Sequence, residues 1–247
     1  MKRFISIIAV FSVVCVLFCS CEKNGNGDAV ITMKSEEKKI TADDGTVVYT
    51  GSVSYPELTG AADKESVYDM INAAIGEIVK TITEPEFDYI AEYNDFVARG
   101  ADYFSGASYS ISFSQSFRDD ERLSFRLDYY NHGACAVRDT EDIKGITFSL
   151  KTGDTLALDD ITGNMTVLKE MIKEECRVQF ARAGNDGESI EYSKEELDYA
   201  VDSGEFSWYL TEENLVILFE PGSIAPIIYQ TPRAEIAIER IPGSPER

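Results

Sequence analysis

Histidine is almost missing: His132 is the only one in 247 residues. A single imidazole excludes a poly-histidine metal centre and the paired-histidine zinc helix. Basic residues are scarce as well. Against 44 Asp and Glu there are 23 Lys and Arg, a formal net charge of −21. That excess repels phosphate and excludes sequence-independent nucleic-acid binding. Several chemical signatures are absent. Gly25 and Gly27 sit in a polar spacer rather than after a strand, so there is no phosphate-cradling glycine loop. No Gly-x-Ser-x-Gly elbow occurs. Around Asn185-Asp186-Gly187, Gly184 and Arg182 take the positions where a calcium loop needs oxygen ligands. No metal ligand, cofactor or catalytic residue is assigned. What remains is 44% apolar and 27% charged, a globular composition long enough for one large domain or two small ones.

The one long apolar run is at the N-terminus. Lys2 and Arg3 precede Phe4–Phe18, which only Ser6 and Ser12 interrupt. This is a secretory h-region, short of the roughly 20 residues of a membrane span. It ends in Leu17-Phe18-Cys19-Ser20-Cys21. A small residue before a cysteine at this point is the bacterial lipoprotein arrangement, so Cys21 is the expected lipidation site. Cys19 fits less well, because bulky Phe18 precedes it. Residues 1–20 then form a signal peptide and 21–29 a lipidated, flexible Asn/Gly tether. The expected location is exported and membrane-anchored through the lipid, on the periplasmic or cell-surface face. Loss of Lys2 and Arg3 makes the mature chain two charges more negative.

Of the five cysteines, only Cys135 and Cys176 lie in the folded part. An exported location permits a disulfide between them. Cys176 also falls in register with Leu168 and Ile172, which suits a buried thiol.

Period-two alternation predicts two strands over 30–55, turning at Asp43-Asp44-Gly45. Apolar residues at three and four spacings predict a helix over 63–82, and a second follows Pro85. Tyr109, Ile111, Phe113 and Phe117 alternate with serines. After a turn at 118–121, Leu123, Phe125, Leu127 and Tyr129 alternate with Ser124, Arg126 and Asp128. That is an antiparallel hairpin with one dry and one wet face. A smaller hairpin turns at Lys151-Thr152-Gly153-Asp154. Asp159-Asp160 opens a helix carrying Leu168 and Ile172, a short helix covers 193–202, and three strands end the chain. The fold class is α+β, with antiparallel sheets built from hairpins and packed with amphipathic helices.

A serine or cysteine nucleophile needs a base, and His132 is the only histidine; Cys135, three residues on, is its nearest sequence partner. Asp119-Asp120-Glu121 and Asp159-Asp160 suit a turn and a helix entrance better than acid–base work. Tyr130, His132, Trp208 and Tyr209 are the candidate ligand contacts, with burial in a core as the other reading of the aromatics.

The C-terminal half resembles the RsiV-like domain. The likeness rests on Gly145–Leu150 running into Lys151-Thr152-Gly153, on Leu158-Asp159-Asp160-Ile161, on Phe206–Thr211, and on Leu215–Phe219 leading to Ile224-Ala225-Pro226. The N-terminal half is similar to the PdaC-type domain through Tyr55-Pro56-x-Leu58 and Ile71-Asn72-x-x-Ile75. These halves span 31–140 and 141–240, packed as one unit. The family often has Gly-Gly-Ala-His where this chain reads His132-Gly133-Ala134-Cys135. The resemblance implies an envelope module found in a lysozyme-sensing anti-sigma factor and beside a peptidoglycan deacetylase domain. It implies binding rather than a reaction. Three functions follow as expectations: a non-enzymatic, lipid-anchored envelope module binding a cationic wall-acting protein such as lysozyme, or peptidoglycan; a carboxylate-dependent glycan hydrolase; and a structural envelope lipoprotein.

Overall fold

The computed structural model describes residues 29–60, 62–100, 104–134, 139–181 and 190–243. Cys21, the signal and tether, and Cys135 lie outside the described residues. Eight strands among the described residues form a five-stranded sheet, ordered β1-β2-β3-β4-β5, and a three-stranded sheet, β6-β7-β8. Four α-helices accompany them, so the class is α+β. The described residues divide into two compact units: the first holds 29–60, 72–100, 104–112, 130–134 and 139–140, the second 62–71, 113–129, 141–181 and 190–243.

In the first unit, β1 (Val30–Thr41) and β2 (Val47–Thr59) form a long antiparallel hairpin, from Val30↔Thr59 to Ile40↔Tyr49 with an irregularity after Ile40. Gly45 turns it at φ +90, a conformation that side-chain-bearing residues avoid. β2 then pairs in parallel with β3 (Ala107–Arg118), Tyr49↔Ala107 through Ser54↔Ser112. The alternation pattern announces hairpins and does not reveal this pairing. A parallel pair needs a long crossover, and the two helices between β2 and β3 supply it. The first, α1 (Glu65–Thr83), buries Tyr68, Ile71, Ile75, Val79 and Ile82 at three and four spacings. Its Asn72 side chain accepts from Leu58 N (2.8 Å) and donates to Leu58 O (2.9 Å). That link ties the Tyr55-Pro56-x-Leu58 strand to the Asn72 helix. The second helix, α2 (Tyr89–Ala98), starts behind Asp88, whose carboxylate accepts from Ala91 N at 2.9 Å. The cap, not Pro85, sets the start, because it satisfies an otherwise orphaned amide. Tyr49 stacks on Tyr89 at 4.6 Å and donates its hydroxyl to Ile82 O at 2.7 Å.

The second unit has the larger core. β4 (Arg122–His132) follows a turn in which the Asp119 carboxylate accepts from the Glu121 and Arg122 amides. β5 spans Thr140–Ser149. The smaller hairpin expected after it is only a bridge, Phe148↔Thr155, closed by the Lys-Thr-Gly turn. Gly153 sits there at φ +85, and a Cβ on it would lie 2.8 Å from Val67 O and from Met70 Cβ. The glycine thus meets both a backbone demand and a packing one. Asp159 and Asp160 occupy a 3-10 turn, Leu158–Ile161, where the Asp160 carboxylate accepts from Ala157 N. The helix itself, α3 (Met165–Phe180), begins four residues later behind Asn164, because the Asn164 side chain caps Val167 N at 3.1 Å. Leu168, Ile172, Cys176 and Phe180, one per turn, are wholly buried. They share a core with Leu197 and Val201 of α4 (Lys194–Ser203) and with inward residues of β6 (Ser207–Leu210), β7 (Asn214–Leu218) and β8 (Arg233–Ala237). The Ile224-Ala225 segment is buried in that core too, its Ile224 carbonyl accepting from Ser193 N.

Candidate functional site

His132 ends β4 and gathers a cluster in the first unit. Its Nδ1 lies 2.6 Å from Asp139 Oδ1, and its Nε2 lies 3.0 Å from Ser105 Oγ. A carboxylate at Nδ1 selects the tautomer with the proton on that nitrogen, which leaves Nε2 free to accept from the serine hydroxyl. The same Oγ is 2.8 Å from Ala134 O, and Ser105 N donates to that carbonyl as well, at 3.2 Å. Asp139 also accepts from Tyr130; hydrogen bonds from Tyr130 and then His132 hold its carboxyl below the ordinary range. His132 keeps 25% of its side chain exposed and Asp139 49%, and Ser105 is exposed. Serine, imidazole and carboxylate therefore stand in a hydrogen-bonded line open to solvent.

Two of the four predicted ligand contacts, Tyr130 and His132, meet here through Asp139. The other two do not reach a ligand surface. Trp208 is 8% exposed and Tyr209 6%. As adjacent residues on β6 they point to opposite sides, Trp208 into the main core and Tyr209 into a cluster with Val216 and Leu218. A short strand covered on both faces accounts for this. Cys176 is a free thiol, wholly buried, its pKa pushed up to about 12 by burial. The pairing with Cys135 that an exported location permits lies outside the described residues. Sequence reasoning missed Ser105, because a hydroxyl and an imidazole 27 residues apart leave no local pattern. The scarcity of histidine was the one available signal.

Two concave surfaces stand out among the described residues of the second unit. One is a cleft of about 370 Å³ lined by Asp142, Lys144, Glu205, Phe206 and Glu220 among others. Lys144 is held there by Glu220 (3.2 Å) and lies over the Tyr129 ring at 5.6 Å. The other is wider and shallower, about 650 Å³, with Glu191, Tyr192, Glu196 and Ile227 on its walls. Ile227 and its neighbour Ile228 are exposed. Acid beside exposed apolar side chains is the composition of a protein-binding rim and anchor.

The acids singled out in the sequence have structural partners. Asp119 closes its turn and pairs with Arg122 at 2.6 Å; Asp160 caps the 3-10 turn. Elsewhere Asp198 bridges Arg177 (2.9 Å) and Lys194 (2.6 Å), and Asp44 accepts from Tyr93. The shifted aspartates, Asp44, Asp119, Asp139 and Asp198, all move down. Among the described residues no group of His, Cys, Asp and Glu is placed to hold a metal ion.

No family model matches the chain, and no curated protein matches it. Solved structures do. A DUF3298-family protein from Bacteroides fragilis aligns with a TM-score of 0.61 at 12% identity, over 88% of this chain and 95% of that one. A DUF3298-family protein from Pseudomonas aeruginosa aligns with a TM-score of 0.51 at 15% identity, over 90% and 99%. At such identities the likeness is one of fold: this is an α+β chain with the architecture seen in DUF3298-family proteins.

Proposed function

We propose that the chain is a lipid-anchored binding module of the cell envelope, with a cationic wall-acting protein of the lysozyme kind as its ligand and peptidoglycan as the second candidate. The observation that carries this is charge: 21 excess negative charges, on a chain whose first 20 residues read as an export signal before Cys21. Such a body draws a cationic protein at long range and repels anionic glycan, which favours the protein over the polymer. The Glu191–Glu196–Ile227 surface, with Ile228 beside it, supplies an apolar anchor inside an acidic rim. The Lys-Thr-Gly turn, the buried Ile-Ala and the Asn72–Leu58 link give physical roles to residues on which the RsiV-like and PdaC-like resemblance rests, and so support it. A glycosidase-type general acid needs a carboxyl pushed upward, and the shifted aspartates go the other way, which counts against the carboxylate hydrolase.

The test immobilises residues 29–247 and flows lysozyme, cytochrome c and soluble peptidoglycan fragments past them. Saturable lysozyme binding with neither of the others supports the reading. Fragment binding alone transfers it to the glycan, and no binding at all removes it. Fractionation of cells carrying Cys21→Ala tests the anchor: the chain should leave the membrane fraction.

A further inference from the structure

We propose that Ser105, His132 and Asp139 form a nucleophilic relay that cleaves small, neutral carboxylic esters presented at the protein surface. The inference rests on the line of contacts from Ser105 Oγ to His132 Nε2 (3.0 Å) and from His132 Nδ1 to Asp139 Oδ1 (2.6 Å). These are the distances and the order of roles by which a serine–histidine–aspartate system is recognised, whatever the fold and sequence order.

The two ends of the relay are positioned by further contacts. Ala134 O, 2.8 Å from Ser105 Oγ, holds the nucleophile in one place, and the Ser105 amide donates to the same carbonyl. Tyr130 donates to Asp139, which keeps the carboxylate ionised and facing the imidazole. Tyr130 is a positioning residue and touches no reacting atom. The serine has one proton and three acceptors within reach: Nε2, Ala134 O and, at 3.3 Å, Gly106 O. In the resting state it alternates between them; during attack it passes to Nε2.

The chemistry closes without any further reagent. Oγ forms a bond to the ester carbonyl carbon as its proton moves to Nε2. The tetrahedral adduct collapses, the bond from carbon to the alkoxy oxygen breaks, and Nε2–H protonates the departing alcohol. A water then attacks the acyl-serine, giving its proton to Nε2. The acid leaves, and Oγ recovers that proton. Asp139 stays ionised and stabilises the imidazolium.

The surroundings select the substrate class. Ser105 is exposed, so the ester is met at the surface and need not enter a pocket. The acidic body repels anionic esters. Phe104, next to the nucleophile, packs edge-on against Tyr93 (4.9 Å) and Phe96 (5.3 Å), giving a small apolar face suited to a short acyl group such as acetyl. This activity does not rest on the binding reading, and either stands without the other.

The test treats the full chain in detergent with a fluorophosphonate probe and, separately, with p-nitrophenyl acetate. The relay predicts one phosphonyl group, on the Ser105 peptide by mass spectrometry. Labelling and ester hydrolysis should vanish in Ser105→Ala and fall by about 10²- to 10⁴-fold in His132→Gln and in Asp139→Asn. Thermal melts confirm folding, and Asp139→Asn carries the test if His132→Gln does not fold. Label no faster on wild type than on Ser105→Ala, or equal labelling of both folded relay variants and wild type, overturns the proposal.

Discussion

Ser124 shows how one residue departs from its pattern. By alternation it belongs on the wet face of β4, yet it is fully buried. Its Oγ lies 2.7 Å from Thr147 Oγ1 and accepts from Leu210 N at 2.9 Å. A buried amide depends on it, because β6 covers that stretch and leaves no water to substitute. Ser124→Ala orphans the Leu210 amide and should cost about 1–3 kcal/mol in urea unfolding. Ser124→Thr adds a methyl group to a closed site and should not restore it. Period two specifies which residues share a face; it does not say whether the second face meets solvent or another layer. That fact lies in the later residues of β6. For the same reason the sequence leaves Trp208 and Tyr209 open between ligand contact and core, and the structure buries them. His132 was legible as chemistry by its rarity, but its partners Ser105 and Asp139 are set by where two strand ends fall, which no local spacing encodes.

Among the elements, helices and strands follow their apolar periods closely, and the departures lie at their ends and connections. α2 and α3 begin at Asp88 and Asn164 rather than at Pro85 or Asp159-Asp160, since a side-chain acceptor for the first amides decides the boundary. The β2–β3 parallel pairing is invisible to alternation, because parallel and antiparallel neighbours bury the same faces. Two substitutions test the element-level account. At Gly145 in β5 a Cβ would come within 2.2 Å of Trp208 O, with backbone on every near side. Gly145→Ala should therefore cost about 2–3 kcal/mol by denaturant midpoint, as an overpacked site with nothing flexible to yield. The β3–β4 turn is the second. Burial pushes the Asp119 carboxyl up, but hydrogen bonds from Arg122 and the Glu121 amide, with the Arg122 charge, take it below 3.8 overall. A folded-state pKa below the unfolded one gives stability that is present above pH 3.8 and lost as pH falls through the folded value. Asp119→Asn should be less stable than wild type at pH 7, and the gap should close on acidification below about pH 3.8. A gap that is constant with pH would deny the ionised turn its role.

At the scale of the whole molecule, the class and much of the element order were readable from patterning, and the charge was readable by counting. The sequence reading places two halves at 31–140 and 141–240; in the structure, segments 62–71 and 113–129 group with the second unit. The functional claim belongs to this scale, since it rests on net charge and on a surface rather than on one residue. Acidic steering alone binds any cationic protein weakly and fails in salt, within a screening length of about 8 Å at physiological strength. A built interface adds desolvated apolar contact that salt does not remove. Calorimetric titration of residues 29–247 with lysozyme at physiological salt, with equally cationic cytochrome c as control, separates the two most directly. The account predicts saturable binding to lysozyme alone, weakened in an Ile228→Asp variant. Equal, weak heats with both proteins that disappear on adding salt would contradict it.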